Sequence, residues 1–507
     1  MNDLVFTHDL PVAITRDPNA GTFPTNADHY VVTALLEDGT PHVQTLALEQ
    51  PPPQTLPPVV FSSVPLGGMV NVSVAFYQAA TGVSQRLLLA RGSSGLVENI
   101  IGASPSLTIE EVRYPIDAST VYEHRQKTAL DSSNNHIWDT SAPAPTVNLE
   151  NLDCGTAGTL CNFQSITVRQ KTGTRQGYVG YGWQGWGTGP SNGGSCGGGL
   201  AGQLDQMANL NTGPDAQMGY LAGPCGLSPG VKVAYSLLTH GTENFYLDTS
   251  DPNALHLRQV TLEPPGFEPP SSSNPQPPPL SWGVLNFLPD SLLLHPAGYF
   301  VSVNTVNHKM ETLRIPDQPM ADADALIQLL AQTKSGQGSR PGLMTSPSAA
   351  AVAPDGTIVV LESGAPTATP PVPARLQAFD LGGNPKPFFT GQPALMRYSL
   401  LLTATPNQAG WQFLDVAVEF GGLIYVLSHN QGTYRLDIYS PAQTGTDPIC
   451  TTTSFNAAKI AVDFWRNVYA LNYEVIPTAN GQPPGFTEPS VSLWVPSSSC
   501  TGHGCTP

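Results

Sequence analysis

Charged side chains are scarce in this chain of 507 residues. Only 12% of the residues are Asp, Glu, Lys or Arg, which is about half the usual share. Coiled coils and helical bundles need a dense supply of Ala, Glu, Lys, Leu and Arg, so the composition excludes them as the main architecture. The sequence also lacks a run of about 18 apolar residues, which a membrane-spanning helix requires, so no transmembrane segment is expected.

Basic side chains are the scarcest of the charged ones. The chain has 21 Lys and Arg against 38 Asp and Glu, which gives a formal net charge of −17. A charge of this sign repels phosphate backbones and anionic lipid surfaces at long range. Nucleic acid is therefore excluded as an expected partner.

A Sec-type export signal is missing from the N-terminus. Asp3, Asp9 and Pro11 stand where a signal peptide would need a basic flank and an apolar stretch of about 7 to 15 residues. The chain therefore stays inside the cell, leaves by a route that reads another signal, or has lost a leader. Its few Lys and many Ser, Thr, Gly and Pro residues favour an extracellular, cell-surface or particle-associated location.

Cysteine occurs in an odd number, so the thiols do not all pair within one chain. Two pairs are close enough for local disulfides, Cys154 with Cys161 and Cys500 with Cys505, although sequence alone cannot fix the connectivity. A zinc site is the rival interpretation, because His503 lies between the last two thiols, but no fourth ligand accompanies them. The seven cysteines are Cys154, Cys161, Cys196, Cys225, Cys450, Cys500 and Cys505.

Glycine and proline are abundant, with 49 Gly and 50 Pro, and they divide the chain into short segments. In residues 1–113, turn-rich clusters separate apolar segments in a pattern of six to eight short strands. From Met69 to Tyr77 apolar and polar residues alternate, which is typical of a half-buried antiparallel strand. We therefore predict an N-terminal β-sandwich of immunoglobulin-like type. It resembles that fold in general architecture only, because a cysteine pair and a core tryptophan are both missing.

From residue 163 to 496 the chain repeats a pattern of apolar strand, turn, apolar strand, polar loop and alternating strand. Six second strands follow one another at spacings of 67, 56, 58, 66 and 44 residues. This is the period of a propeller blade with variable insertions, and it predicts six blades. The second strands begin near Gly177, Asn244, Phe300, Ile358, Ile424 and Val468.

Two of these units resemble the NHL-type β-propeller repeat. The first has Asp355-Gly356 at its turn, then Ile358 to Glu362 and Arg375 to Asp380; the second has Ile424 to Ser428 and Arg435 to Tyr439. The resemblance implies a propeller fold. It does not imply one function, because the NHL family contains both binding scaffolds and enzymes.

The remaining segments connect or extend the repeats. Residues 114–162 form a connector, and its stretch from Val121 to Leu130 is our candidate for the strand that closes the propeller. The stretch from Ala321 to Lys334 has leucines at helical spacing and predicts an amphipathic helix. Residues 497–507 are expected to form a flexible tail.

Four aromatic residues in the first repeat could form a platform for sugar rings, because flat apolar faces with polar edges suit carbohydrate C–H groups. They lie in a Gly-rich stretch from Gly177 to Gly202, and strand packing is the alternative explanation. The candidate ligand-binding residues are Tyr178, Tyr181, Trp183 and Trp186.

The axial channel of the propeller is the other candidate site. Propeller hydrolases, lactonases and lyases hold a divalent cation there with carboxylates and amides, because hard cations take oxygen ligands. In register, Asp415 aligns with Lys459, and Glu419 aligns with Asp463. An acid and a lysine on neighbouring blades form an ion pair as readily as a site, and the aligned alanines of other blades would leave a metal short of ligands.

The sequence therefore predicts a non-enzymatic binding or structural scaffold. Its propeller and sandwich surfaces would recognise a protein or glycan, or assemble into a surface or extracellular structure, with a homo-oligomer as one form. No cofactor is expected. The alternative is a propeller hydrolase or lyase with Ca²⁺ or Mg²⁺ in the channel, so enzymatic activity stays an open question.

Overall fold

A computed structural model gives the architecture of the chain. The residues that it describes are 6–16, 23–24, 27–78, 87–111, 122–130, 136–143, 146–148, 160–170, 177–186, 200–207, 218–221, 237–240, 243–251, 254–260, 281–285, 289, 291–314, 326–333, 337–353, 355–365, 372–402, 410–419, 421–453, 455, 457–462, 466, 468–472, 475–476, 485–486 and 490–496.

Seven strands form the N-terminal part, in the spatial order β3-β2-β5-β6-β7-β1-β4. They are β1 (Thr7–Arg16), β2 (His29–Leu36), β3 (Pro41–Ala47), β4 (Val59–Pro65), β5 (Met69–Gln78), β6 (Leu87–Glu98) and β7 (Ser106–Glu111). Strand β1 changes partner along its length. Its first half pairs antiparallel with β4, and its second half pairs parallel with β7.

One apolar core lies inside this N-terminal part. The alternation predicted for β5 is present, since Val70, Val72, Val74 and Phe76 are buried in one cluster with side chains of β1, β2, β4 and β7. The two end strands of the sheet also meet, where Gln44 Nε2 donates a hydrogen bond to the Val60 carbonyl at 2.7 Å. The immunoglobulin-like resemblance stays a prediction.

Five antiparallel sheets of four strands follow, each formed from strands consecutive in sequence. Before them come β8 (Tyr122–Leu130), β9 (His136–Pro143) and β10 (Thr146–Asn148). The first two sheets are β11 (Leu160–Gln170), β12 (Gly177–Trp186), β13 (Leu200–Met207), β14 (Met218–Leu221), and β15 (Leu237–His240), β16 (Glu243–Asp251), β17 (Ala254–Val260), β18 (Ser281–Leu285). The third is β19 (Ser291–His295), β20 (Tyr299–Asn304), β21 (Lys309–Arg314), β22 (Leu329–Gln332). The fourth and fifth are β23 (Pro347–Val352), β24 (Ile358–Glu362), β25 (Arg375–Phe379), β26 (Ser399–Leu401), and β27 (Gln412–Val418), β28 (Ile424–Asn430), β29 (Thr433–Tyr439), β30 (Cys450–Thr452).

The last sheet combines strands from both ends of the repeat region. The strands that follow β30 are β31 (Lys459–Val462), β32 (Val468–Asn472), β33 (Val475–Ile476), β34 (Gly485–Phe486) and β35 (Ser490–Pro496). Of these, β31, β32 and β35 belong to the last sheet, whereas β33 and β34 form a separate hairpin. Strand β8 pairs antiparallel with β35 and carries β9 on its other side, which gives the order β31-β32-β35-β8-β9. The segment that precedes β11 thus supplies strands to the last sheet.

The first strands of neighbouring sheets contact one another. In chain order β11 contacts β15, β15 contacts β19, and so on to β31, which contacts β11 again. Small antiparallel sheets with their first strands side by side are the architecture of a β-propeller. The predicted all-β class with a propeller is confirmed. A single 3-10 turn at Ala394–Met396 is the only helical element in the described ranges, where no helix is long and apolar enough to cross a membrane.

The second strands of the third, fourth and fifth sheets are buried on both faces, because each of these sheets packs between two others. In β28, Ile424 and Val426 pack toward the preceding sheet, whereas Tyr425 and Leu427 pack toward the following one. This explains why these strands are continuous apolar runs without polar alternation.

The predicted amphipathic helix from Ala321 is wrong over its described part. Residues Leu329–Gln332 form strand β22, which pairs with β21. The leucines spaced for a helix face are exposed, with Leu326 at 65%, Leu329 at 45% and Leu330 at 47%. The edge of β21 offers unpaired backbone groups, and pairing with them outweighs the local helix preference.

The N-terminal sheet touches the propeller through a small interface around Leu35. Leu35 packs with Ala297, Tyr299 and Leu381 in a buried cluster. Around it, Asn71 Nδ2 donates to the Pro296 carbonyl at 3.2 Å, and the Glu37 carboxylate lies 4.0 Å from the Arg314 guanidinium.

Candidate functional site

Asp415 and Lys459 lie on the adjacent inner strands β27 and β31, as the register comparison predicts. Asp415 Oδ1 lies 3.8 Å from Lys459 Nζ, and its Oδ2 accepts a hydrogen bond from the Ile460 amide at 2.9 Å. Burial raises the pKa of the Asp415 carboxyl, and the Lys459 ammonium opposes that rise. Both carboxylate oxygens are therefore engaged by groups of the neighbouring sheet.

Glu419 is buried and faces a cation that the sequence analysis missed. Its Oε1 accepts from the Leu423 amide at 3.2 Å, and its Oε2 lies 3.6 Å from Arg466 Nε. The Arg466 carbonyl in turn accepts a hydrogen bond from the Tyr122 hydroxyl at 2.9 Å, so closing strand β8 joins the network. The Tyr122 and Tyr425 hydroxyl oxygens lie 3.2 Å apart, and burial raises the pKa of both phenols.

Arg466 stands where the third, fourth and fifth sheets have a turn glycine. Gly298, Gly356 and Gly422 precede their second strands with φ of 87°, 77° and 89°, and Arg466 adopts φ of 66° at the same place. A side chain with Cβ is strained in this region of φ. The sequence therefore contained a signal for the pair of Glu419 with Arg466. An arginine replaces the turn glycine in the sheet that follows the one with the buried glutamate.

His295 occupies the register position of Glu419 two sheets earlier and makes the equivalent contact. Its Nε2 lies 2.8 Å from the carbonyl of Gly356, the turn residue of the next sheet. Its Nδ1 accepts from the Ala297 amide at 3.1 Å, so Nε2 carries the proton and donates it. Burial lowers the pKa of His295 to about 4, so this imidazole is neutral at neutral pH.

A buried ion pair at the start of the third strand of the fourth sheet holds the segment that leads into that sheet from β22. Arg375 Nε donates to Glu362 Oε1 at 2.9 Å, and Nη2 donates to the Gly338 and Leu343 carbonyls. Gln377 Nε2 donates to the same carboxylate and to Leu343. Burial raises the pKa of Glu362, and the Arg375 guanidinium opposes the rise.

The same device recurs with its carboxylate on a different strand. In the fifth sheet Arg435 aligns with Arg375, but Ser428 takes the place of Glu362 and Asp437 that of Gln377. Asp437 Oδ2 lies 2.8 Å from Arg435 Nε. The third sheet has the ion pair of Lys309 with Glu311 at these positions. The sequence analysis did not identify these pairs.

The other predicted site residues lie outside what the structure describes. This holds for Asp463 and for the side chains of Tyr178, Tyr181, Trp183 and Trp186, whose backbone forms β12. The side chains of the predicted disulfides are also outside it, and Cys450 is a buried thiol. Within the described ranges no three His, Cys, Asp or Glu side chains gather as metal ligands.

Comparison with known proteins gives no family. No family model matches the sequence, and neither does any curated protein. Among solved structures, a glucose dehydrogenase is 13% identical with a TM-score of 0.29, over 63% of this chain and 97% of that one. Virginiamycin B lyase from Staphylococcus aureus is 8% identical with a TM-score of 0.30, over 66% and 99%. The Dos1 propeller is 11% identical with a TM-score of 0.29, over 83% and 89%. Likeness at this level assigns no activity.

Proposed function

We propose that this protein is a non-enzymatic scaffold that works by surface contacts. The proposal rests on the fact that the carboxylates of the two candidate channel residues already have partners within the protein. Asp415 and Glu419 are both bound to a cation and to a backbone amide of the protein itself. A carboxylate held in this way makes a poor metal ligand, because a metal would have to displace its partner and leave a buried charge unpaired.

Exposed apolar side chains at one end of the N-terminal sheet offer a contact surface. Phe6, Ile100 and Ile101 are 67%, 51% and 77% exposed. The turn at Leu66–Gly68 holds them close together, because Leu66 donates to the Phe6 carbonyl and Gly67 to the carbonyl of Asn99, the neighbour of Ile100. We name these three side chains the end patch. Adjacent exposed apolar residues are typical of interaction sites.

The end patch is proposed to bind a second copy of this chain. It carries no charge, so two copies can meet face to face about a twofold axis. The net charge of −17 opposes their approach, and salt screens that repulsion. Assembly is therefore expected to strengthen as ionic strength rises.

Sedimentation velocity at low and high salt tests this assembly. We expect a concentration-dependent dimer that is stronger at high salt, and a dissociation constant at least about tenfold larger in the double variant Ile100→Ser, Ile101→Ser, equivalent to about 1.4 kcal/mol. Val306→Ser is the matched control, because Val306 is 83% exposed on the third sheet. A monomer at all salt concentrations, or equal weakening by the control, contradicts the proposal.

The alternative function is a hydrolase or lyase with Ca²⁺ or Mg²⁺ in the channel, and Asp415, Glu419, Lys459 and Asp463 are its candidate residues. Isothermal titration with each cation separates the two functions. The scaffold predicts no heat of specific binding to the intact protein. Stoichiometric binding that is lost in Asp415→Asn and retained in the control Asp355→Asn would favour the enzyme.

Glycan recognition through Tyr178, Tyr181, Trp183 and Trp186 is a further form of the scaffold proposal. A glycan array is the test. The control is Trp411→Ala, at a ring that stacks on the Arg435 guanidinium of the fifth sheet. Specific binding that disappears in both Trp183→Ala and Trp186→Ala, but persists in this control, would support glycan recognition. An array without specific binding would remove glycans from the proposal.

The finer architecture is also proposed. We infer six blades closed by strand β8, NHL-like repeats, and an immunoglobulin-like N-terminal sandwich. We also propose an extracellular, cell-surface or particle-associated location, and local disulfides. The boundaries are 1–113 for the sandwich, 114–162 for the connector, 163–496 for the propeller and 497–507 for the tail. The contacts of neighbouring first strands support the ring, and the pairing of β8 with β35 supports its closure.

A further inference from the structure

His295 lies at the point where the N-terminal sheet meets the propeller. It ends strand β19, and the next two residues form the interface: Pro296 accepts from Asn71, and Ala297 packs against Leu35. On its other side, the ring touches the turn at Gly356, where an added Cβ would meet both His295 and Leu35. The imidazole thus contacts two turns of the propeller, at Ala297 and at Gly356, and both turns lie against Leu35 of the N-terminal sheet.

Both ring nitrogens of His295 are committed to the neutral form. Nε2 donates to the Gly356 carbonyl, and Nδ1 accepts from the Ala297 amide. A second proton on Nδ1 would face the Ala297 N–H, so two donors would meet at the present distance of 3.1 Å. The ring or the backbone at Pro296 and Ala297 must then move, because the imidazole is fully buried and cannot reach water.

The surroundings of His295 disfavour its protonated form. Burial disfavours the imidazolium most strongly and Lys386 adds to this effect, whereas the hydrogen bond to the Gly356 carbonyl and the Asp355 carboxylate favour the charged form. The balance lowers the pKa of His295 to about 4. Lys386 Nζ also lies 3.3 Å from Asp355 Oδ2, which reduces the help that this carboxylate gives. At the same interface, burial raises the pKa of Tyr299. The Glu37 and Asp38 carboxylates of the N-terminal part raise this pKa further, whereas Arg314 of β21 lowers it.

We propose that protonation of His295 releases the N-terminal sheet from the propeller in acid. The interface depends on the backbone that His295 holds, so a shift of Pro296 and Ala297 breaks the Asn71 hydrogen bond and opens the cluster around Leu35. Each part keeps its own core, since the N-terminal cluster and the clusters between propeller sheets share no residue. Release thus separates two folded parts. It requires neither the self-assembly nor the channel chemistry discussed above.

Small-angle scattering on the full chain between neutral pH and about pH 4 tests the release. We expect a reversible increase in the radius of gyration while circular dichroism retains its β signal. His295→Gln keeps a donor toward Gly356 but cannot take a second proton, so it should stay compact at about pH 4. His429→Gln is the control, because His429 lies in the fifth sheet away from the interface, and it should expand like the unchanged protein. An unchanged radius, or expansion of His295→Gln at the same pH, overturns the proposal.

Hydrogen exchange on the unchanged protein provides a second measurement if His295→Gln fails to fold. After correction for intrinsic rates, exchange at the Ala297 amide should rise at least about tenfold between neutral pH and about pH 4, with Val72 and Val426 still protected. Uniform loss of protection across both parts would show global unfolding and overturn the proposal. Retained protection at Ala297 would overturn it as well.

Discussion

Buried ion pairs recur at aligned positions of the third, fourth and fifth sheets. The cation at the start of the third strand stays in place over three consecutive sheets, as Lys309, Arg375 and Arg435, while its carboxylate partner moves between strands. In each of these three sheets a cation is thereby paired with a carboxylate of the same sheet, although the individual residues differ. Such pairs are costly to break, because the remaining charge is left buried without a partner.

A transplant between two sheets tests this interpretation. Glu362→Ser should reduce the free energy of unfolding by about 3 to 5 kcal/mol, since Arg375 loses its carboxylate. Adding Gln377→Asp reproduces the arrangement of Ser428, Arg435 and Asp437, and it should recover about 1 to 3 kcal/mol. Urea denaturation of the single and double variants measures both values.

The control for this transplant is Lys386→Ala. Lys386 pairs with Asp355 at 3.3 Å in a partly exposed position, so its loss should change stability by less than about 1 kcal/mol. If Gln377→Asp restores no unfolding free energy in the Glu362→Ser background, a carboxylate at position 377 does not replace the one at position 362, and the interpretation is wrong.

Sequence reasoning reached some of these residues and not others. The alignment of two inner strands placed Asp415 beside Lys459, because a strand register sets aligned residues side by side, but it left open whether they form an ion pair or part of a metal site. Arg466 was missed because it replaces a glycine at a turn. The residue type at a turn indicates which backbone conformation is needed, but it does not indicate which distant side chain the residue contacts. The pair of Arg375 with Glu362 was missed because its two members sit on adjacent strands, separated by an insertion that hides their proximity.

Strand β8 is the element that joins the two ends of the repeat region. Besides its backbone pairing with β35, it contributes Tyr122, whose ring meets that of Tyr425 edge-on with centroids 6.4 Å apart. The Tyr122 hydroxyl donates to the Arg466 carbonyl, so one side chain of the connector contacts both the fifth sheet and the last one.

Tyr122→Phe isolates the hydroxyl from the packing. We expect a loss of about 1 to 2 kcal/mol in the free energy of unfolding, because the buried Arg466 carbonyl loses its donor while the ring contacts persist. Tyr398→Phe, at a partly exposed position before β26, should change stability by less than about 0.5 kcal/mol. Equal effects in chemical denaturation would show that the Tyr122 hydroxyl contributes nothing specific.

Elements with strong periodicity could be predicted, and those set by tertiary pairing could not. Second strands begin at or one residue before the expected positions, because their apolar runs are bounded by turn residues. The segment from Ala321 shows the opposite case. Its local pattern favours a helix, but Leu329–Gln332 pairs with the free edge of β21, which sequence reasoning cannot see.

At the scale of the whole molecule, the β class followed from composition and the repeat period. Scarce charge and abundant glycine and proline exclude long helices, and recurring strand triplets indicate small stacked sheets. The interface between the N-terminal sheet and the propeller could not be predicted. It is made by turn residues such as Pro296 and Ala297, whose patterns carry no information about distant partners.

The pairing of β8 with β35 also sets the order in which the polypeptide can finish folding. During translation Tyr122 leaves the ribosome some 370 residues before its partner strand at Ser490–Pro496. All strands of the intervening sheets have been synthesised before β35 appears. The edge of β8 that pairs with β35 therefore stays without its partner until the last strand is synthesised. A prematurely terminated chain would therefore retain its individual sheets and expose an open seam, the kind of edge that chaperones bind and aggregates extend.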